Sequence, residues 1–220
     1  MRINQFLAKA TGLSRRSIDR AIDNNKVLVN GKNAQLGQTV SESDEILFDS
    51  KPIKYKRQVT TIMVDKPAGF VTSRNGQGSK TIYDALPNKY RNLKPIGRLD
   101  KNSSGLILLT DDGNLANRLS HPRYMKQKIY HVTLDSKLTQ ADLHAIMDGK
   151  VTLDNSPSRF KIRHSSDERY LEVTLSEGRN RQIRRTFETL GYKVTSLRRI
   201  QFGEYKLVDL NGKVFREVTD

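Results

Sequence analysis

One stretch of the chain decides how the rest is interpreted: Gly97-Arg98-Leu99-Asp100-Lys101-Asn102-Ser103-Ser104-Gly105, followed directly by Leu106-Ile107-Leu108-Leu109. The apolar run is typical of a strand that is buried on both faces at the centre of a sheet. The polar residues before it predict a loop that leads into this strand and presents a carboxylate, Asp100. Most aspartates in loops only cap a turn, so the residue type alone leaves the role of Asp100 open.

The segments on either side of this strand alternate between predicted strands and short helices. Apolar or alternating runs predict strands at 62–64, 129–134 and 170–175, and apolar stripes predict helices at 115–119, 139–149 and 183–190. The pattern contains no regular strand–helix–strand repeat. It therefore favours an α+β domain over residues 59–220, built on a mostly antiparallel β-sheet.

The first 48 residues form a separate small module in this interpretation. Apolar residues at positions 3, 6, 7 and 10 predict a first helix, and Ser14 is placed to cap a second one. Asn30-Gly31 predicts a tight hairpin between short strands. Residues 49–58 are basic and polar without a period, which predicts a linker to the larger domain.

The charge balance indicates a polyanionic partner. The 220 residues include 39 Lys and Arg against 24 Asp and Glu, a formal net charge of +15. Charge of this size attracts phosphate backbones whatever their sequence, although a basic surface can also serve solubility alone. The absence of cysteine excludes disulfides, zinc–thiolate sites and thiol catalysis. No apolar run approaches the ~20 residues of a membrane span, and the N-terminus shows no signal-peptide core, so we expect a cytoplasmic protein without membrane contact.

The sequence does not match the residue spacing of known nucleotide-binding or metal-binding motifs. Gly76-Gln77-Gly78-Ser79-Lys80-Thr81 lacks the pattern of a phosphate-binding loop, and no G-x-G-x-x-G follows a predicted strand. The four histidines are scattered along the chain without the spacing of metal ligands. We therefore expect neither a cofactor nor a metal ion.

Two further segments stand out together with residues 97–105, because they also carry charged residues beside residues able to take part in catalysis. They are Lys128-Ile129-Tyr130-His131-Val132 and Glu177-Gly178-Arg179-Asn180-Arg181-Gln182-Ile183-Arg184-Arg185. Together with residues 97–113 and the turn Lys66-Pro67-Ala68-Gly69, they resemble the signature of the ribosomal RNA pseudouridine synthases of the RsuA/RluB branch. Residues 13–32 resemble the S-four-type RNA-binding module common at the N-terminus of this branch, so the resemblance spans essentially the whole chain.

The resemblance implies the pseudouridine synthase fold and an isomerisation of uridine within ribosomal RNA that needs no cofactor. Asp100 is the implied catalytic carboxylate, which either attacks the sugar or removes its C2′ proton. Arg184 is its implied basic partner, because a guanidinium suits a carboxylate bidentately and favours its charged form in a dry pocket. Tyr130 is implied to stack on the detached uracil, and its hydroxyl is a candidate for a late proton transfer. Ile183 forms either the apolar wall of the pocket or part of the core.

The remaining candidate residues are expected to hold RNA. Arg98 is placed to fill the gap left by a flipped base or to hold a flanking phosphate. Three arginines of the third segment are expected at phosphates, and two amides are expected to orient them: Arg179, Arg181 and Arg185, and Asn180 and Gln182. Four basic residues of the N-terminal module complete the expected RNA contacts: Arg15, Arg16, Arg20 and Lys32.

Two other functions fit parts of the sequence. A non-catalytic RNA-binding or ribosome-assembly protein on the same fold would show the same charge, but it would not need Asp100, Tyr130 and Arg184 together. A DNA-binding regulator would show a recognition helix and a dimer interface, and neither is evident. We expect ribosomal RNA as the partner, in an assembling subunit and with a weak preference for the large one, and we expect a monomeric protein.

Overall fold

A computed structural model of the chain describes residues 1–41, 43–53, 59–164 and 167–218. The chain divides into two compact units, Met1–Gln58 and Val59–Asp220. Each unit buries apolar side chains in a core of its own. None of the helices in the described part of the chain has the length and hydrophobicity needed to cross a bilayer.

The smaller unit consists of two short helices and a four-stranded sheet. Its elements are α1 (Ile3–Thr11), α2 (Arg15–Asp23), β1 (Val27–Val29), β2 (Lys32–Asn33), β3 (Ile46–Phe48) and β4 (Lys51–Pro52), with the strands in the order β2-β1-β3-β4. Gly12 ends α1 in the left-handed conformation, and the Ser14 side chain accepts a hydrogen bond from the backbone N–H of Ser17 at the start of α2. Asn30 and Gly31 both have positive φ, as a tight hairpin requires.

The sheet of the smaller unit extends into the predicted linker 49–58. β4 pairs antiparallel with β3, and the backbone N–H of Ile53 donates to the carbonyl oxygen of Ile46 at 2.8 Å. Composition could not reveal this strand, because a short, exposed edge strand of lysine and proline has the character of a linker. Residues 54–58, the rest of the predicted linker, lie outside the described residues.

The larger unit is built on one long, mixed sheet. Its strands are β5 (Thr61–Lys66), β6 (Lys94–Pro95), β7 (Ser104–Thr110), β8 (Lys128–Leu134), β9 (Thr152–Leu153), β10 (Ser156–Pro157), β11 (Lys161–His164), β12 (Tyr170–Leu175), β13 (Val194–Phe202), β14 (Tyr205–Lys206) and β15 (Phe215–Glu217). Its α-helices are α3 (Gly113–Ser120), α4 (Gln140–Met147) and α5 (Gln182–Thr189), and its 3₁₀ turns are Ile82–Ala85, Asn88–Tyr90, Pro122–Tyr124 and Leu207–Leu210.

The strand order confirms the expectation of an α+β unit with a mostly antiparallel sheet. The order is β11-β12-β8-β13-β7-β5-β15, with β14 on β13, β6 on β7, and a separate β9–β10 hairpin. β13 and β7 run parallel, and the other pairs described in this sheet are antiparallel. The apolar run of β7 is fully buried, as a strand between two sheet neighbours requires. The loop that carries Asp100 is therefore anchored to the centre of the sheet.

β13 is a long central strand that the sequence did not reveal. Its residues include Arg198 and Arg199, which break the apolar alternation expected of a buried strand. The structure accommodates both arginines through partners from other strands. Arg198 pairs with Asp65 on β5 at 2.6 Å, and the Nε atom of Arg199 donates to the carbonyl oxygen of Leu106 at 2.7 Å.

Gly105 lets β7 and β13 approach each other at the start of their parallel pairing. It lies opposite Arg199 in the register and has a φ of +99°. A side chain here would place its Cβ against the Arg199 backbone and would also require a conformation that L-residues rarely adopt. The glycine is therefore needed for the contact that holds the Asp100 loop against the sheet.

We expect Gly105→Ala to lower the free energy of unfolding by about 2–4 kcal/mol, because both backbone strain and a clash would have to be relieved. Urea or thermal unfolding of the purified variant measures this loss. Gly113→Ala is the matched control, since a Cβ at Gly113 meets nothing within 4 Å. Equal stability of the two variants would contradict the role of Gly105.

Candidate active site

A cavity of about 590 Å³ opens on the larger unit, and residues of all three sequence segments line it. Among the candidate residues, those that line it are Arg98, Asp100, Tyr130, Arg179, Asn180, Arg181, Gln182 and Ile183. Arg184 and Arg185 lie farther along α5 and do not line it. The fold thus brings most of the predicted site residues to one cavity, and the volume of this cavity is typical of small-ligand sites.

Asp100 lies at the cavity on a loop that is fixed from both sides. The preceding residue, Leu99, is buried, and its backbone N–H and carbonyl both bond the hydroxyl of Thr72, at 3.2 and 2.9 Å. On the other side the backbone N–H of Ser103 donates to the carbonyl oxygen of Asp100 at 3.0 Å. Thr72 gave no signal in the sequence, because its partner lies 27 residues away.

The carboxylate of Asp100 has an arginine partner, but it is Arg181. The Nη1 atom of Arg181 lies 3.6 Å from Oδ2 of Asp100, and the Asp100 side chain is 35% exposed. Arg181 stands immediately before α5 with a φ of +47°. This geometry brings a cation to the carboxylate while both side chains stay partly exposed at the cavity.

Arg184, the residue expected to pair with Asp100, instead ties the Asp100 loop to the sheet. Its Nη1 donates to the carbonyl oxygen of Val194 at 2.9 Å, and its Nη2 donates to the carbonyl oxygen of Asn102 at 3.0 Å. Burial and the neighbouring Arg181 lower the pKa of Arg184, and Asp100 raises it. Arg184 therefore lies near Asp100, but its guanidinium donates to two backbone carbonyl oxygens. These oxygens accept the same N–H donors as a carboxylate, although they carry no net charge.

Lys66 is a second cation behind the Asp100 loop. It is fully buried, and its Nζ donates to the carbonyl oxygens of Pro67, Phe70 and Lys101, at 2.9, 2.7 and 3.4 Å. Burial lowers the pKa of Lys66 to about 8, and the Asp100 charge opposes this shift. From the sequence, Lys66 could be recognised only as part of a turn. Its burial could not be predicted, because the carbonyl groups that surround Nζ come together only in the folded protein.

Tyr130 and Ile183 supply the apolar side of the cavity. Tyr130 is on β8 and is 8% exposed, and Ile183 is in the first turn of α5 and is 5% exposed. Both also belong to the main hydrophobic core. Packing therefore fixes their orientation while part of each side chain faces the cavity.

The model of the family described as RNA pseudouridylate synthase matches residues 60–189, which include the Asp100 loop, Tyr130 and the start of α5. The chain belongs to the RNA pseudouridylate synthase family. A second model, the S4 domain, matches residues 1–46 of the smaller unit.

Named relatives of this pseudouridylate synthase align over nearly its full length. An "Uncharacterized RNA pseudouridine synthase" of Aquifex aeolicus is 36% identical over 99% of the chain and 90% of the relative. "Ribosomal large subunit pseudouridine synthase B" of Escherichia coli (strain K12) is 36% identical over 94% of the chain and 75% of the relative. A solved structure titled "Crystal structure of pseudouridylate synthase" is 31% identical, covers 100% of this chain and 96% of that chain, and has a TM-score of 0.69.

Two arginines expected at phosphates are engaged within this pseudouridylate synthase. Arg179 donates to the carbonyl oxygens of residues 153, 156 and 157 around the β9–β10 hairpin, and pairs with Glu177 at 3.2 Å. Arg185 forms a bidentate ion pair with Asp154, at 2.6 and 2.8 Å. Both arginines thus use their Nη atoms on partners within the chain, and their role at phosphates stays a prediction.

The two amides differ in their surroundings. Gln182 is 3% exposed, and its Nε2 donates to Glu177 and to the hydroxyl of Ser158. The Gln182 side chain therefore orients a carboxylate that pairs with Arg179, and its backbone N–H donates to the carbonyl oxygen of Arg179 at 3.3 Å. Asn180 and Arg98 are exposed at the cavity, where an RNA strand could reach them.

The four candidate RNA-binding residues of the smaller unit lie on its surface. They are Arg15, Arg16, Arg20 and Lys32, and each is exposed. Arg15 and Arg16 open α2, beside the Ser14 cap, where backbone N–H groups add to the attraction for phosphate.

Proposed function

We propose that the protein isomerises a specific uridine in ribosomal RNA to pseudouridine, with the Asp100 carboxylate as the reacting group. The chain is an isomerase by its family. The observation that carries the assignment of Asp100 is its position on a fixed loop at the cavity that Tyr130 also lines. Asp100 and Tyr130 line one cavity, so in this proposal the carboxyl group acts on the sugar while the ring stacks on the base.

In the proposed reaction the target nucleotide is flipped out of its stack into the cavity, at a cost of a few kcal/mol. The Asp100 carboxylate adds to the sugar or removes its C2′ proton, and the N-glycosidic bond breaks. The uracil rotates on the Tyr130 ring, and its C5 atom bonds to C1′ as the Asp100–C1′ ester bond breaks or as Asp100 returns the C2′ proton. C5 then gives up its proton, and N1, freed from the sugar, gains one. Uridine and pseudouridine are isomers, so atoms and electrons balance without another reactant.

The charges around Asp100 support this chemistry. Arg181 lies within ion-pair distance, and the Lys66 and Arg184 cations interact with the same carboxylate over longer distances. In this proposal Arg181 is the contacting partner of Asp100, and Arg184 is a positioning residue.

The substrate proposal rests on the smaller unit and on the relatives. An S4 domain is joined to the catalytic unit, and relatives are named for the large ribosomal subunit and, in Pasteurella multocida, for the small one. We propose RNA of an assembling subunit as the substrate, with the large one favoured, and a monomer that acts in the cytoplasm.

Mapping pseudouridines in ribosomal RNA from cells with and without this protein tests the proposed function. We expect one site, or a few adjacent sites, to lose the modification and to regain it when the purified protein is added to the unmodified RNA. Unchanged pseudouridine maps, together with no conversion by the purified protein, would overturn the proposal.

We expect Arg15→Ala/Arg16→Ala to weaken RNA binding about 10-fold and to reduce the slope of log affinity against log salt by about 1–2, because two phosphate contacts are removed. Titration of labelled RNA at several salt concentrations measures both quantities. Lys137→Ala/Lys150→Ala is the charge-matched control, since each lysine is exposed and paired with a surface carboxylate. The same slope in both double variants would exclude the smaller unit from the footprint.

A further inference from the structure

Two cations on one wall of the cavity have no role in the reaction proposed above. Lys128 begins β8, and Arg199 lies on the neighbouring β13; both line the cavity. Arg199 is directly opposite Tyr130 in the strand register, and Lys128 precedes Tyr130 by two residues and so lies on the same face of the sheet. Both cations are therefore neighbours of the ring expected to hold the uracil.

Arg199 is buried with unused hydrogen-bonding capacity. It is 2% exposed, its Nε donates to the carbonyl oxygen of Leu106, and its guanidinium lies 4.8 Å from the ring centroid of Phe202. Its Nη2 is buried and has no hydrogen-bond partner among the described residues. A buried charged donor without an acceptor is costly, so a group that entered the cavity and offered an acceptor to Nη2 would remove this cost.

Lys128 also lacks an anionic partner among the described residues. Among the described residues, its Nζ donates only to the carbonyl oxygens of Lys126 and Glu177, at 3.2 and 3.4 Å. Burial and the charge of Arg199 lower the pKa of Lys128, and Glu177 raises it. The Glu177 carboxylate is bound to Arg179 and Gln182. Lys128 and Arg199 thus lie against the same ring, Phe202, at 5.4 and 4.8 Å from its centroid, and neither forms an ion pair among the described residues.

We propose that Lys128 and Arg199 form a subsite for a phosphate group, filled by a phosphodiester of the substrate RNA next to the flipped uridine. A phosphate oxygen would supply the acceptor that Nη2 lacks and would offset the repulsion between the two cations. The cavity volume of about 590 Å³ accommodates a nucleotide with its phosphate as well as a base. This inference rests on the proposed function, since it takes the target nucleotide to enter this cavity.

The test uses RNA substrates in which one phosphate at a time, on either side of the target uridine, is replaced by a neutral methylphosphonate. With the wild-type protein we expect one replacement to lower kcat/KM by about 10- to 100-fold, the effect of losing one or two charged hydrogen bonds. Lys128→Gln should cause a similar loss on unmodified RNA and make the protein insensitive to that same replacement. Lys161→Gln, a change at an exposed residue of β11 that does not line the cavity, should retain the full sensitivity.

Additional measurements distinguish a failure of the phosphate subsite from a failure of the proposed function. Arg199→Lys, checked for folding by thermal unfolding, should reduce the sensitivity to the same replacement. If the wild-type protein is active and every methylphosphonate acts equally on wild type and Lys128→Gln, the subsite is wrong and the proposed function stands. No conversion of unmodified RNA by the wild-type protein would refute the proposed function instead. Inorganic phosphate that binds in a Lys128-dependent manner, without any methylphosphonate effect, would show a site for the free anion and overturn the assignment to RNA.

Discussion

Asp100→Asn should reduce the rate of pseudouridine formation by at least about 10³-fold, the scale of losing an essential acid–base or nucleophilic group. Asparagine has nearly the shape of aspartate but cannot attack the sugar or accept its proton. The loop should keep its conformation, since it is fixed by Thr72 and Ser103 through backbone atoms of residues 99 and 100. Single-turnover conversion of the mapped RNA measures the rate, and titration of the same RNA measures affinity, which should change less than about threefold.

Asp148→Asn is the matched control for this prediction. Asp148 follows α4 and pairs with Lys150 on the surface, so the same chemical change there should leave the rate unaltered. Substantial product from Asp100→Asn would show that another group performs the chemistry. A large loss of RNA affinity together with the rate would instead show that Asp100 is needed to organise the cavity.

Features set by neighbouring residues could be predicted from the sequence. The Ser14 cap needs only the N–H of Ser17, three residues on, and the Asn30-Gly31 hairpin needs only two residues that tolerate positive φ. The apolar run 106–109 indicated a buried strand because a short run of large apolar side chains next to a polar loop is typical of a strand covered on both faces. These short-range rules also placed the Asp100 loop at the start of that strand.

Features that depend on distant partners could not be predicted. Residues 194–202 look too basic for a central strand until Asp65 and the carbonyl of Leu106 are brought to Arg198 and Arg199. The arginines of the third segment were equivalent by residue type, yet the fold gives Arg179 and Arg185 internal partners and leaves Arg181 to Asp100. The site could thus be located from motif order, while the role of each arginine required the tertiary contacts.

Arg184→Lys should lower kcat about 10²-fold, because displacement of a reacting group by as little as 1 Å has an effect of this size. Lysine keeps the positive charge but cannot reach the carbonyls of Asn102 and Val194 with one planar fork. Arg184→Met should lose a similar factor. The substitutions should lower kcat and leave KM for the RNA nearly unchanged. Steady-state kinetics of the two variants measure both constants.

The two variants distinguish positioning from charge. If Arg184 acts by holding the Asp100 loop, lysine and methionine are almost equally damaging, and hydrogen exchange at residues 100–103 accelerates in both. If it acts by charge at the carboxylate, as the resemblance implied, lysine restores most of the activity that methionine loses. Arg163→Lys is the control, since Arg163 is an exposed strand residue with a long ion pair of 3.9 Å to Glu172. Near-normal kcat in Arg184→Lys would therefore refute the positioning role and return Arg184 to the electrostatics of Asp100.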